Sequence, residues 1–349
     1  MAPFRTWLAA ALAAGMCFLP PCRADSPYRF FRAIPIGGDG GWDNLRIDEG
    51  ARRLYVSHAT RVVVVDIDRN AIVGEIEGTP GVHGIALAPE LGRGFTSNGR
   101  EGMAGIFDLG TLKTLAKVPT GANPDAILYV PGHREVYTFN GRAHSATAFA
   151  ADTGDVVATI PLPGKPEFAA VDPQTGLIYD NLEDGNEVAV IDSGTRRVVS
   201  LWPIAPGESA SGMAIDVAHH RLFLGCENRL MAVMDSTNGR IVATLPIGEG
   251  VDANAFDPGT QLAFSSNGSG TVTVVREVTP ERFEVLQVLP TVRSARTMAL
   301  DPKTHAIYLA AADLEPQAAQ QPGEPRQRPK IVPGTFRIMV YAYSPEPPP

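Results

Sequence analysis

Seven polar residues recur along this chain at intervals of 40 to 44 residues, each shortly before an apolar run. They are Asp43, His83, Asp125, Glu167, Ser211, Asp252 and Arg296. Four are carboxylic acids, which suit a cation, a cationic small molecule or the basic loop of a protein partner. If the fold brings these positions together, they form a ring of convergent polar groups, which is the usual composition of a binding site.

Other residues join this prediction because of their places in the same repeat. Asn123 and Lys165 stand two positions before their ring residues, and Trp42 stands next to Asp43 as a possible stacking wall. Four more residues end the second run of their repeat: His58, Asn98, Asn140 and Asn267. We therefore predict that the ring and these seven residues line one ligand site, while no catalytic residue is identified.

The elements that must position these residues are four short β-rich runs separated by turn residues, repeated seven times. The aromatic residue of each second run marks the repeat at Tyr55, Phe95, Tyr137, Tyr179, Phe223, Phe264 and Tyr308. One four-stranded unit of this size cannot bury both of its faces alone, so neighbouring units must stack around an axis. The predicted fold is an all-β, seven-bladed β-propeller.

The ends of the repeat region predict how the ring of blades closes. The seventh copy has only three runs, and residues 28–37 resemble the missing fourth run. We expect the N-terminal strand to complete the last blade, which also removes exposed sheet edges. Residues 25–349 are thus predicted to form one domain. Residues 313–334, rich in Pro and Gln, are a mobile loop insertion in blade seven, either a plain surface loop or a lid.

The N-terminus and the composition predict where the protein works. Residues 1–24 have a basic start, a short apolar core and Ala24 before the predicted cut, as in a secretory signal peptide. Only Cys226 then remains, so no intrachain disulfide is expected. The formal net charge of −8 disfavours nonspecific binding to nucleic acid, and no later segment predicts a membrane span. The protein is predicted to be periplasmic or secreted.

The second runs read YVSH at 55–58, FTSN at 95–98, YTFN at 137–140 and FSSN at 264–267. These motifs, followed by alternating runs and Asp-Thr-Gly turns, resemble the YVTN, or YncE-like, β-propeller repeats of secreted and surface-layer proteins. The resemblance covers nearly all of the mature chain. It implies the propeller fold, but its functional implications are broad, because some relatives bind DNA and others act beside periplasmic redox and transport systems.

Four functional alternatives remain open from the sequence. The leading hypothesis is binding of a small ligand, a metal ion or a protein partner at the ring. Asp43, Asp125, Glu167 and Asp252 offer oxygen ligands suited to Ca²⁺ or Mg²⁺. Propeller lactonases use a comparable set, which makes a metal-dependent hydrolase with His83 or His58 as general base the enzymatic alternative. A lyase centred on His83 with Arg296, a DNA-binding propeller and a purely structural ring that caps turns complete the set.

Two further expectations concern residues outside the ring. Arg46 occupies a column that holds Ala or Leu128 in the other repeats. It is either a functional cation in the central channel or a buried residue paired with a carboxylate. Asp216 and the histidines of the turns at the far end of the first runs, such as His219 and His305, are interpreted as structural and solvated, respectively.

Overall fold

The structure, a computed structural model, describes residues 26–316 and 329–345. Its strands form seven antiparallel sheets of four strands each, and the only helix in the described residues is a single 3-10 turn at Pro89–Leu91. The predicted seven-bladed β-propeller is therefore confirmed.

The first four blades take their strands in chain order from the axis outward. Blade one contains β2 (Trp42–Asp48), β3 (Arg53–His58), β4 (Arg61–Asp66) and β5 (Ala71–Glu77). Blade two contains β6 (Val82–Ala88), β7 (Arg93–Asn98), β8 (Met103–Asp108) and β9 (Thr114–Pro119). Blade three contains β10 (Pro124–Val130), β11 (Glu135–Asn140), β12 (Ser145–Ala150) and β13 (Val156–Pro161). Blade four contains β14 (Pro166–Val171), β15 (Leu177–Leu182), β16 (Glu187–Asp192) and β17 (Arg197–Pro203).

The remaining blades follow the same order until the ring closes. Blade five contains β18 (Ala210–Asp216), β19 (Arg221–Cys226), β20 (Leu230–Asp235) and β21 (Ile241–Pro246). Blade six contains β22 (Val251–Asp257), β23 (Leu262–Asn267), β24 (Thr271–Thr279) and β25 (Arg282–Pro290). Blade seven contains β26 (Met298–Asp301), β27 (Ala306–Ala311), β28 (Arg337–Tyr343) and the N-terminal strand β1 (Tyr28–Pro35).

The hydrophobic core lies between the blades. The repeat aromatics are buried there, and each packs against the next blade or its own third strand; Phe95 meets Phe149 of blade three edge to face, for example. The second and third strands are buried on both faces, as the run Val62–Val65 shows, whereas the outermost strands alternate between buried and exposed residues. This gradient fixes the inner strands rigidly around the axis.

The N-terminal strand closes the ring as the sequence predicts. Strand β1 pairs antiparallel with β28, from Tyr28 opposite Tyr343 to Pro35 opposite Arg337. Tyr28 and Ile34 are almost completely buried. The Tyr28 hydroxyl also donates a hydrogen bond to the His305 carbonyl at 2.8 Å.

The insertion of blade seven begins as a short antiparallel ribbon. Leu314 bridges Ile331, and the Glu315 amide donates to the Lys330 carbonyl at 2.8 Å. Residues 317–328, and the predicted signal peptide at 1–24, lie outside the described residues. In the described ranges no helix is long and apolar enough to cross a membrane.

Candidate functional site

Six of the seven ring residues lie at an irregularity in the innermost strand of their blade. In blade one the pairing register of β2 with β3 shifts between Trp42 and Leu45, and equivalent shifts occur in β6, β10, β14, β18 and β22. A β-bulge bends its strand and re-aims the side chains within it. The ring residues that fall inside these bulges are Asp43, His83, Asp125, Glu167, Ser211 and Asp252. Arg296 directly precedes the shorter first strand of blade seven.

Hydrogen bonds from the preceding blade fix several of these bulges. Side chains near the end of a second strand donate to the backbone carbonyl of the next ring residue: Ser57 to His83, Ser97 to Asp125, Asn181 to Ser211 and Ser266 to Arg296. The three serines are the third residues of the motifs YVSH, FTSN and FSSN. Ser97 Oγ in addition accepts a hydrogen bond from the Gly84 amide at 2.7 Å, which ties two adjacent inner strands together.

His83 lies between two carboxylates at the mouth of the channel. Its Nδ1 is 2.6 Å from Asp43 Oδ2 and 3.6 Å from Asp125 Oδ1. Burial lowers the pKa of His83, but the hydrogen bond with Asp43 and the charges of Asp125 and Asp43 outweigh it and raise the pKa to about 9. His83 is therefore an imidazolium at neutral pH. The ring is packed where a side chain on Gly99 would collide with it, since a Cβ there would lie 2.6 Å from Nε2.

The other ring residues form two further ionic groups. Lys165 Nζ is 2.7 Å from Glu167 Oε1 and also contacts Glu183 Oε2. On the other side of the ring, Arg296 Nε is 3.1 Å from Asp252 Oδ2. Ser211 Oγ donates to the Asp252 backbone carbonyl at 3.3 Å. We call the seven ring residues together with Lys165 and Glu183 the mouth cluster.

A cavity opens at the mouth, and four consecutive blades line it. Each blade contributes a ring residue and the residue that follows it: Asp43 and Asn44, His83 and Gly84, Asp125 and Ala126, and Glu167 and Phe168. The structure thus brings four of the predicted ring residues to one cavity. Its wall combines carboxylates with apolar surface, which is typical of a small-molecule site.

Crowding of the carboxylates raises their pKa values. Burial, then the charge of Asp43, raises the pKa of Asp125 to about 6. Burial and the charge of Asp125 raise the pKa of Glu167 to about 8, against the attraction of Lys165. Burial raises the pKa of Asp252 to about 7, although Arg296 opposes the shift. The mouth cluster therefore holds more negative charge than its own basic groups neutralise.

Several predicted site residues lie beside the cavity but are covered by protein. His58 is fully buried, its ring centroid is 4.4 Å from that of Phe336, and burial lowers its pKa. Phe336 also stacks on Trp42 at 5.0 Å, which occupies one face of the indole. The three remaining predicted residues, Asn98, Asn140 and Asn267, are fully buried and donate hydrogen bonds within their own blades.

The predicted metal ligands fall into different groups. Ligand atoms of Asp43, His83 and Asp125 lie within 4.8 Å of one another. Glu167 and Asp252 pair instead with Lys165 and Arg296. Asn123 lies beside the His83 ring, because a Cβ on Gly99 would approach both residues.

Arg46 agrees with one of its two predicted states. Its side chain is exposed, and no ion pair joins it to another described residue. Burial nevertheless lowers its pKa, with only the charge of Glu49 opposing the shift. Contact with solvent together with strong desolvation is expected in a narrow channel, so the structure favours the channel-lining cation over the buried ion pair.

Asp180 is a mouth residue that the sequence analysis missed. It is completely buried in β15, and burial together with the charge of Glu167 raises its pKa well above the usual range. Val56, Thr96 and Leu224 occupy the equivalent position in other blades. An acid in a column of apolar or hydroxyl residues was the available signal.

No protein-family model matches the chain, and a comparison with curated proteins gives no match either. The argument for function therefore depends on the geometry and charge of the mouth cluster.

Proposed function

We propose that this propeller binds a small organic cation, such as an amine or a guanidinium compound, at the mouth cluster. The observation that supports this proposal most is the carboxylate-lined cavity shared by blades one to four. In the mouth cluster five carboxylates, Asp43, Asp125, Glu167, Glu183 and Asp252, face three basic groups, His83, Lys165 and Arg296. A cation of a ligand would relieve the repulsion among the buried acids.

The apolar part of the cavity favours an organic cation over a bare ion. Ala126 and Phe168 lie next to Asp125 and Glu167 in its wall. An aliphatic stem can pack on these side chains while its charged end meets the carboxylates. The raised pKa of His83 argues against a role as general base, because an imidazolium has no free electron pair at Nδ1 or Nε2.

The predicted signal peptide and the resemblance to YVTN-type repeats extend this proposal. A protein exported by residues 1–24 would meet its ligand outside the cytoplasm. Binding of a cation needs no catalytic group, which fits a scaffold protein of the periplasm or cell exterior.

Thermal shift and calorimetry with defined probes test the proposal. We expect putrescine or agmatine to raise the Tm at pH 8, while the neutral analogue 1,4-butanediol has no effect. Asp125→Asn and Glu167→Gln should each weaken binding at least tenfold, because each removes one charge from the cavity wall. Glu284→Gln, which changes a half-exposed carboxylate on the outer strand β25, is the matched control and should bind normally.

Two results would decide against the proposal. No binding of any amine or guanidinium probe at millimolar concentration would exclude a cation site of useful affinity. Saturable binding of Ca²⁺ or Mg²⁺ that is lost in Asp125→Asn, without binding of the organic probes, would support the metal alternative at Asp43, His83 and Asp125.

A further inference from the structure

A second group of ionisable side chains lies on the opposite face of the propeller, between blades five and six. Asp216 ends β18, at the far end of that strand from the ring residue Ser211, and His219 lies in the turn that follows. Glu277 belongs to β24 of the next blade. His219 Nδ1 is 2.8 Å from Asp216 Oδ2 and 2.8 Å from Glu277 Oε1.

An extension that is particular to blade six delivers Glu277 to this group. Strand β24 has nine residues, whereas the third strands of blades one to five have six. The Glu277 amide donates to the Gln261 carbonyl at 2.9 Å. The amides that make the equivalent bond in blades one to five belong to Ile67, Leu109, Ala151, Ser193 and Ser236. A carboxylate therefore replaces an apolar or small residue at this one place in the repeat.

The three converging atoms are buried and lack proper hydrogen bonds. The side chains of Asp216 and Glu277 are only 2% and 1% exposed. Neither Glu277 oxygen, nor Asp216 Oδ2, nor His219 Nδ1 has a hydrogen bond of acceptable geometry. One ring nitrogen carries at most one proton, so it cannot satisfy two carboxylate oxygens at once. Buried carboxylates left in this state are costly unless they bind a cation.

We propose that Asp216, His219 and Glu277 bind a divalent transition-metal ion, with Zn²⁺ as the reference case. One imidazole nitrogen and two carboxylate oxygens suit such an ion, whereas Ca²⁺ and Mg²⁺ prefer oxygen ligands alone. Ligands about 2.0–2.2 Å from a metal and at right angles to one another lie about 3 Å apart, close to the observed separations. The His219 side chain is 38% exposed, which leaves a solvent side where water completes the coordination.

The surroundings hold the ligands in place. Asp216 Oδ1 accepts a hydrogen bond from the Ala218 amide at 3.0 Å, which orients the carboxylate and leaves Oδ2 for the metal. Arg221 Nε donates to the Pro280 carbonyl at 2.7 Å and so pins the extended hairpin of blade six to blade five. Because the ligands come from two blades, the ion would act as a staple that stabilises the folded ring.

Zinc titration of the untagged, EDTA-treated protein tests this site. We expect one equivalent of Zn²⁺ to bind and to raise the Tm, and we expect Glu277→Gln and His219→Ala each to weaken binding at least tenfold. His305→Ala is the matched control, because His305 contacts Asp257 at 2.7 Å between blades six and seven without a second carboxylate. It should bind zinc as the unaltered protein does, and so should His83→Ala, which removes the histidine of the mouth cluster.

The outcomes separate this site from the mouth cluster. Equal zinc binding by the unaltered protein and by Glu277→Gln would overturn the proposal, as would loss of binding in His83→Ala alone. Absence of zinc binding at micromolar concentration would overturn it as well. Circular dichroism melts of the metal-free variants show whether a loss of binding comes from a loss of fold; if one variant is unfolded, the other decides.

Discussion

At the level of single residues, the protonation state of His83 decides what the mouth cluster can do. The blade of each ring residue follows from the sequence spacing, and this part of the site was predictable. Spacing does not give distances across the axis, however, so it could not show that Asp43 and Asp125 enclose His83 while Glu167 and Asp252 pair elsewhere. It also gave His219 a solvated turn, whereas His219 contacts two buried carboxylates.

The His83–Asp43 contact makes a prediction about pH. The folded-state pKa of His83, about 9, lies above its ordinary value of about 6.5. The stability that its protonated form contributes is thus fully present below about pH 6.5 and is lost as the pH rises through about 9. Asp43→Asn should lower the His83 pKa by at least one unit, because it removes the charged hydrogen-bond partner. NMR titration of the histidine ring protons measures both values; identical titration in the two proteins would contradict the assigned contact.

At the level of elements, the bulges and the serines of the repeat motif position the site. Bulges in the inner strands were not predictable, because each adds only a slight irregularity to short strands whose pattern is otherwise regular. The third residue of the motifs YVSH and FTSN was visible in the sequence, but its hydrogen bond to the neighbouring blade depends on how blades stack. The local repeat thus predicts the strands, and the contact between blades sets the site.

Ser97 tests this account of the inner strands. Ser97→Ala removes the hydrogen bond to the Asp125 carbonyl and the one from the Gly84 amide, and it leaves both groups buried without a partner. We expect a loss of about 1–3 kcal/mol in the free energy of unfolding, measured by urea denaturation, and weaker cation binding. Ser200→Ala on the outer strand β17, where the serine has no side-chain hydrogen bond with a described residue, is the control. A stability loss no larger than that of the control would refute the positioning role.

At the level of the whole molecule, the ring is closed by joining the two ends of the chain. The seven repeats and the incomplete last copy were sufficient to predict the blade count and the closing strand. The partners of that strand were less accessible: Tyr28 bonds to Gln287 of blade six as well as pairing with β28, a contact between residues 259 positions apart. The path of residues 317–328 was also beyond prediction, since the insertion follows no repeat.

Removal of the closing strand tests this closure. A mature chain that starts at residue 37 exposes the buried sites of Tyr28 and Ile34, each a large side chain worth about 1.5–3 kcal/mol of burial. We expect calorimetry to show a Tm lower by several degrees. Phe31→Ser is the control, since Phe31 is 57% exposed on the same strand. An unchanged Tm for the truncated chain would show that β1 does not hold the ring together.

The central claim is that crowded, partly protonated carboxylates at the channel mouth bind a cation. Calorimetric titration with agmatine from pH 6 to pH 8 tests it most directly, because a bound cation favours the ionised form of acids whose pKa values are about 6, 7 and 8 for Asp125, Asp252 and Glu167. Affinity should rise at least tenfold over this range with release of protons, and the rise should shrink in Glu167→Gln. An affinity that is independent of pH, or the same pH dependence in Glu167→Gln, would contradict the account.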